Sequence, residues 1–393
     1  MEISPGSNTD RKIGFITSLG FLFGLSVALV AYLGSSYFKE ATGVENVAIF
    51  FVISFSFILL GLFNLHKIFV KFGRPRTLLI LLVMQIFVVF FLSIIPVSPL
   101  GAFFLILYYI IYGIIWVVWD AVLEAYSADA KTGRIRGMFL SVWGIGAIIG
   151  PLLSLTLVEQ FGYSLIFSIV LGLYSLMLVV ALITLNQITG KINTKRVPLS
   201  DMINRVRKTK ALWQVYWVAI SLSFCAATMV VFIPLKLREL GFEWSEMGLI
   251  FTIMLLPFVL LEYPAGVLAD KKYGEKEIML AGFVILIVAV SCITFLNEKS
   301  FVLWTSVLLL SRVGYALIEA MRDTYFYKQI DGTDVALINL FRTARPVAYI
   351  LAMTLATIMQ MLFGMMAVFI GLVVVLLISL YPVCVLKDTQ PQG

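Results

Sequence analysis

Charge is scarce in this chain, and the scarcity classifies it. Only 13% of its 393 residues are Asp, Glu, Lys or Arg, against about 25% in a typical soluble domain, while 61% are hydrophobic. A water-soluble fold cannot hide that much apolar surface, because even large domains leave much of their surface in water. A lipid bilayer removes the demand. Histidine is nearly missing: His66 is the sole copy. Without a His/Cys cluster at metal-ligand spacing, a nucleophile elbow or a nucleotide-binding loop, nothing points to an enzyme, a metal or a cofactor. Cysteine is sparse too. Cys225, Cys292 and Cys384 lie far apart in apolar stretches and read as small buried hydrophobes, not as a disulfide framework. No cleavable leader is apparent. Arg11 and Lys12 introduce an apolar run too long for a signal-peptide core, so that run is expected to be the first span.

In place of charge there is a succession of apolar stretches of at least about 18 residues, each enough to cross roughly 30 Å of hydrocarbon. Twelve are expected, over 13–38, 47–70, 76–96, 101–126, 136–158, 164–185, 213–236, 246–268, 277–296, 300–325, 335–359 and 362–386. In lipid each span has to satisfy its own backbone hydrogen bonds, so helices are expected, and the lengths are about twice those of barrel strands. A polar, basic stretch over 186–212 follows the sixth span.

The chain also nearly repeats itself. Asp120 and Glu124 sit four residues apart on one apolar segment; Glu319 and Asp323 sit four apart on another, shifted by 199 positions. The basic run from His66 to Arg76 has its counterpart from Gly266 to Lys276, shifted by 200. Two homologous membrane halves place a solute path between bundles that rock against each other. The expected fold class is an all-α membrane protein of twelve transmembrane helices in two pseudo-symmetric six-helix bundles, residues 1–185 and 213–393, joined by a basic linker over 186–212.

Charge asymmetry orients the chain. Lys and Arg gather in the tails and in the loops that follow even-numbered spans, whereas the opposite side carries Lys39, Lys236, Arg238 and Lys299. Short basic loops stay in the cytoplasm, so both termini are expected on the cytoplasmic side of a plasma membrane (a cell inner membrane). The net charge of +7 is thereby explained by topology. No nucleic-acid partner is called for, since no basic patch is interleaved with base-stacking aromatics. The basic stretch near 191–210 suits anionic lipid head groups.

Several loop motifs resemble those of a known family. Gly266, Leu268, Ala269, Asp270, Lys271 and Gly274 follow a loop signature of approximately G-x-L-A-D-R-x-G-R-R, with one extra residue before the last glycine. Gly73, Arg74 and Arg76 match the corresponding first copy, where His66 and Val70 replace its glycine and aspartate. Gly146-x-x-x-Gly150-Pro151 resembles the core of an exporter-associated motif, with Ser154 and Leu155 in place of its trailing glycines. With twelve spans in a 6+6 arrangement and a central basic loop, the chain resembles the major facilitator superfamily along almost its whole length. The resemblance implies alternating access and a small-molecule substrate, and it leaves the substrate open.

Charges within spans carry the remaining information, because each is expensive in lipid unless paired or wetted. From a rise of about 1.5 Å per residue, Arg312 and Arg345 fall near mid-membrane and Glu262 some ten ångströms inward of it. Asp120, Glu124, Glu319, Arg322 and Asp323 fall near the cytoplasmic ends, each carboxylate pair on one helix face. Arg134, Arg136, Arg322 and Arg342 are candidate counter-ions across the pseudo-symmetric interface. Two readings stay open: the carboxylates close the inner mouth as ion pairs, or one of them carries a proton. Glu262 is the leading proton carrier, being the deepest acid with no basic neighbour one turn away; a buried pair with Arg312 or Arg345 is the alternative. Those arginines also suit a carboxylate or phosphate on the substrate. Pro346, after Arg345, is expected to kink its span, and Pro151, Pro257 and Pro264 to act as breakpoints. Tyr112 and Trp116 could wall the solute path, and Gly20/Gly24 with Gly146/Gly150 permit close helix packing.

The expected function is secondary active transport by alternating access, proton-coupled and with a tilt toward export, in a monomer embedded in the bilayer. Substrate or proton pathway residues are Glu262, Arg312, Arg345, Glu319, Trp116 and Tyr112. A cytoplasmic gate is expected of Asp120, Glu124, Asp270, Lys271, Arg322, Asp323, Arg74 and Arg136. A transport-like solute sensor or a lipid or lipid-linked flippase on the same fold are the alternatives.

Overall fold

Backbone amides in lipid find partners within their own segment, and helices are the regular structure throughout the described residues of the computed structural model, 5–126, 132–185, 206–269, 273–330 and 335–386. In chain order they are α1 (Pro5–Ala31), α2 (Gly34–Thr42), α3 (Ala48–Phe72), α4 (Arg74–Ile94), α5 (Pro99–Tyr126), α6 (Thr132–Leu185), α7 (Lys210–Glu239), α8 (Trp244–Leu260), α9 (Glu262–Leu268), α10 (Gly274–Phe295), α11 (Phe301–Lys328), α12 (Val335–Arg342), α13 (Ala344–Phe363) and α14 (Met365–Cys384).

Ten continuous helical runs are long and apolar enough to cross a membrane, and Ser18–Ala31 with Gly34–Thr42, bent by 42°, makes an eleventh span. One of the ten, Val142–Ile183, is 42 residues long. At about 1.5 Å per residue it would reach roughly twice the thickness of the hydrocarbon core. Gly162 resolves the excess, with φ 74° and ψ −178° inside α6. That conformation is open to glycine and strained for other residues, so α6 turns there and crosses twice. Twelve crossings result. The same backbone geometry recurs at Gly364, φ 81° and ψ −178°, between α13 and α14. Among the described residues the positive-φ glycines fall in pairs: Gly43 with Gly241, Gly73 with Gly274 and Gly162 with Gly364, shifted by 198, 201 and 202 positions. The internal repeat is therefore written in the turns as well as in the charges.

The chain forms two compact units, Met1–Glu45 with Phe57–Thr194, and Asn46–Ser56 with Lys195–Gly393. In the first, α1 lies along α6 on the seam of small residues. A Cβ on Gly146 would fall 2.7 Å from both Leu25 N and Phe21 O, and Gly24 and Gly150 meet Trp143 and Ala28 still more closely. Small residues let helices approach where lipid provides no hydrophobic drive between them. Pro151 does not break this helix, contrary to the sequence expectation: α6 departs from helical geometry at Gly162 alone.

In the second unit α7 is the interior helix, packed on α11, α13 and α14. Ser379 Oγ of α14 donates to Ser221 Oγ of α7 at 2.6 Å. The α10–α11 contact closes on two glycines, since a Cβ on Gly314 would lie 2.6 Å from Gly282 O. The first turns of α3 pack here as well: Asn46 Nδ2 donates to Thr357 O at 3.2 Å, and Phe55 stacks on Tyr349 with centroids 4.0 Å apart. Two spans of this unit are broken. α8 and α9 part at Leu261, between Pro257 and Pro264, and α12 and α13 part at Thr343, just before Pro346. Pro264 and Pro346 have no N–H to donate to the carbonyls four residues earlier, which ends the helical ladder. Of the three cysteines, only Cys225 is buried; Cys292 and Cys384 are exposed, correcting the expectation of three core thiols. Both sit among the large apolar side chains, such as Phe295 and Tyr381, that coat the outer surface as lipid contact requires.

Candidate functional site

Helix α11 carries the densest intramembrane charge. Ser300 caps it, its hydroxyl accepting from Leu303 N. Arg312, Tyr315, Glu319 and Arg322 then recur every three or four residues, which places them on one stripe. That stripe faces inward: Arg312 is 5% exposed, Tyr315 8% and Arg322 9%. Residues of α7, α8, α12 and α13 surround it. Phe258 of α8 meets Tyr315 edge-on with centroids 5.6 Å apart. Phe341 of α12 lies under the Arg322 guanidinium at 5.6 Å and stacks on Phe326. Tyr216 of α7 shares a 3.0 Å hydrogen bond with Thr343 at the α12–α13 break.

A buried cation is tolerated when it is satisfied, so the question for each is what satisfies it. Arg322 holds both carboxylates of its own helix. Its Nε and Nη2 meet Asp323 Oδ1 at 2.8 and 2.7 Å, while Nη2 stands 3.6 Å from Glu319 Oε1. Arg322 therefore pairs locally, whereas the sequence reading had it reach across to the other half. Glu319 is the looser partner; it also lies in the field of Arg345 and Arg312. Arg345 rests 5.8 Å from the ring of Tyr349, the residue on which Phe55 stacks. Lys236 is held by direct contacts to a carbonyl and two rings, with Glu239 of its own helix adding a favourable field. Its Nζ donates to Ile293 O at 2.7 Å and lies 5.5 and 5.2 Å from the rings of Trp304 and Phe369.

Arg312 differs from all of these. Its guanidinium lies over the ring of Tyr315, 5.6 Å away. Its Nε is buried with no acceptor, and among the described residues no ion pair reaches it. Placing an arginine at the centre of a membrane helix costs about 2.5–3.5 kcal/mol on insertion scales, and among the described residues only the more distant field of Glu319 acts against that cost, with no ion pair in contact.

In the first unit Tyr112 and Trp116 belong to an aromatic cluster of α5. Tyr112 is buried and packs on Phe23, and Trp116 is half-buried between Phe23 and Trp143. Asp120 is half-buried one turn further along. Arg74 does not face a carboxylate in the contacts described: Nη1 donates to Ala121 O at 3.1 Å and ties the start of α4 to α5. Asp270 and Lys271 lie outside the described residues, as do the side chains of Glu124, Arg134, Arg136 and Glu262 and most of the 186–212 linker. The backbone places Glu262 as the first residue of α9, at the α8–α9 break.

Sequence reasoning missed three partners. Glu275, 1% exposed at the start of α10, is paired with Lys328 at the end of α11. Cys225 of α7 lies in the electrostatic range of Arg312. Tyr315 lies 5.6 Å from the Arg312 guanidinium and within electrostatic range of Glu319. The first two come from helices distant in sequence, and only the three-residue offset from Arg312 to Tyr315 was visible beforehand.

A chain with this all-helical, twice-repeated membrane architecture and buried intramembrane charge is compared most usefully with transporters. None of the curated proteins compared with it matches. The family profile described as Major Facilitator Superfamily matches residues 15–247 and again 236–393, together nearly the whole chain. The chain belongs to the major facilitator superfamily of membrane transporters.

Proposed function

We propose that this chain is a proton-coupled secondary transporter that moves a small solute by alternating access, with Glu319 as the carboxylate that exchanges the proton. The observation that supports this is the sharing of Arg322. Asp323 holds that guanidinium with two contacts to one oxygen, leaving Glu319 at 3.6 Å with the weaker claim on it. Among the described residues the groups facing Glu319 are Tyr315, Arg322 and Asp323 on its own helix, Arg345 from α13 and Arg312 two turns away. Gaining a proton frees Arg322 to close wholly on Asp323, and losing it restores the three-residue cluster. A switch between two pairing patterns on one helix is the kind of bistable element alternating access uses.

Basic residues concentrated in the tails and even-to-odd loops support a plasma-membrane protein with both termini in the cytoplasm. The Gly146/Gly150 pair is accounted for by its packing on α1, so transport direction is left to measurement.

Proteoliposomes loaded with a pH dye provide the test, with a panel of organic anions, sugars and organic cations as solutes. The expected result is a solute-evoked pH change that Glu319→Gln abolishes. A pH change of undiminished size in Glu319→Gln removes Glu319 as the carrier, and Glu262→Gln in parallel shows whether that acid takes the role. Solute binding without flux identifies a sensor, and silence toward every soluble solute moves the chain toward lipid substrates.

A further inference from the structure

Matching the charges along α11 leaves one guanidinium over, and we infer that Arg312 receives an anionic group of the transported solute, a single carboxylate, phosphate or phosphonate on an apolar or aromatic body. The inference rests on reading the chain as a solute carrier. Four observations support it.

The first is the state of the guanidinium. It is 5% exposed, its Nε is buried without an acceptor, and the two carboxylates on its helix are engaged by Arg322. The second is the contrast with Lys236, a cation of similar burial that sits on a carbonyl oxygen and two rings. The fold can satisfy a buried cation from its own atoms, and among the described residues no hydrogen-bond acceptor or ion pair does so at Arg312 Nε. The third is the lining. Tyr315 lies against the guanidinium at 5.6 Å, Phe258 stands edge-on to Tyr315, and the buried Cys225 thiol is nearby. These groups supply apolar and aromatic surface and no anion. An oxyanion bound by the planar fork through two parallel N–H bonds would complete the site, and an aromatic body would pack on Tyr315.

The fourth is coupling. Arg312 is one of the positive charges facing Glu319. An anion that neutralises Arg312 removes part of the field acting on Glu319, so anion and proton binding favour each other, reciprocally. One surplus cation and one loosely paired carboxylate therefore suit a solute anion that travels with a proton.

Equilibrium binding of radiolabelled benzoate to the purified full-length chain in detergent tests the inference. Phenylphosphonate, benzamide and benzyltrimethylammonium serve as competitors. The expected outcome is saturable benzoate binding displaced by phenylphosphonate, and displaced neither by the neutral isostere benzamide nor by the cation. Arg312→Gln should weaken benzoate binding about 10- to 100-fold, the loss of a charge-assisted hydrogen-bond pair, and Arg312→Lys should recover part of it. If Arg312→Gln does not purify as a folded protein, the benzoate–benzamide comparison on the wild-type chain decides alone. Absence of saturable benzoate binding, equal competition by benzamide, competition by the cation, or a folded Arg312→Gln variant with unchanged affinity each overturns the assignment. The two proposals fail separately. Charge-selective benzoate binding without a solute-evoked pH change in liposomes leaves the anion site standing and removes proton coupling, whereas pH changes evoked only by sugars or cations do the reverse.

Discussion

Adding a single methyl group at Gly314 should loosen the helix pair that carries the charged stripe. A Cβ there would lie 2.6 Å from Gly282 O and 2.7 Å from Leu286 N, where ordinary contact begins near 3.4 Å, so the helices must separate by about 0.8 Å. Both obstructing atoms are backbone, and no rotamer change relieves them. Overpacking of this kind costs about 1–3 kcal/mol, with unyielding neighbours placing it near the top of the range. Alanine also gains about 1 kcal/mol over glycine from helix propensity, so the net loss at Gly314→Ala is about 2 kcal/mol. Gly172 in α6 provides the control, because a Cβ there meets nothing within 4 Å. Gly172→Ala should keep the propensity gain of up to about 1 kcal/mol. Thermal melting of both variants in the same detergent is the assay, and the expected order is Gly172→Ala at or above wild type and Gly314→Ala clearly below it. Because Arg312 precedes Gly314 by half a turn, Gly314→Ala should also weaken solute binding. Melting of Gly314→Ala at or above the wild-type temperature would refute the close α10–α11 contact and with it the placement of the stripe.

Two further outcomes follow from the ion chemistry. Lys236→Met keeps the apolar stem but removes the donor to Ile293 O, a last-turn carbonyl of α10 that has no partner further along its own helix. A loss of about 1–3 kcal/mol is expected in melting or denaturant titration, and unchanged stability would show that the hydrogen bond contributes nothing. Glu275→Gln breaks the pair with Lys328, whose side chain is 42% exposed, so the loss should fall below the ~3–5 kcal/mol of a fully buried pair. It should still exceed the effect of Glu246→Gln at the exposed Lys299–Glu246 pair, expected at about 0–1 kcal/mol, and the reverse order by thermal melting sinks the assignment.

Much of this protein is determined locally, and that part was legible in the sequence. A span in lipid has to satisfy its own backbone and face apolar surroundings, so composition over some twenty residues decides that it is a helix and that it crosses. The repeat was legible because both halves preserve it in local features: Asp120/Glu124 against Glu319/Asp323, and the basic run His66 to Arg76 against Gly266 to Lys276; the recurrence of the positive-φ glycines appears only in the structure. Chain breaks were legible where a missing N–H forces them, at Pro264 and Pro346, and misread at Pro151, where α6 continues regardless. What tertiary structure alone decided is which charges are satisfied. Arg322 turns to carboxylates on its own helix, Lys236 finds a carbonyl 57 residues away on α10, and Glu275 finds Lys328 across the α10–α11 contact. Arg312 Nε finds no acceptor among the described residues. A charge in a membrane helix announces itself in sequence by its cost, but its partner is set by which helices touch and at what rotation. That depends on packing at glycines such as Gly282 and Gly314, whose significance appears only once two distant segments lie side by side.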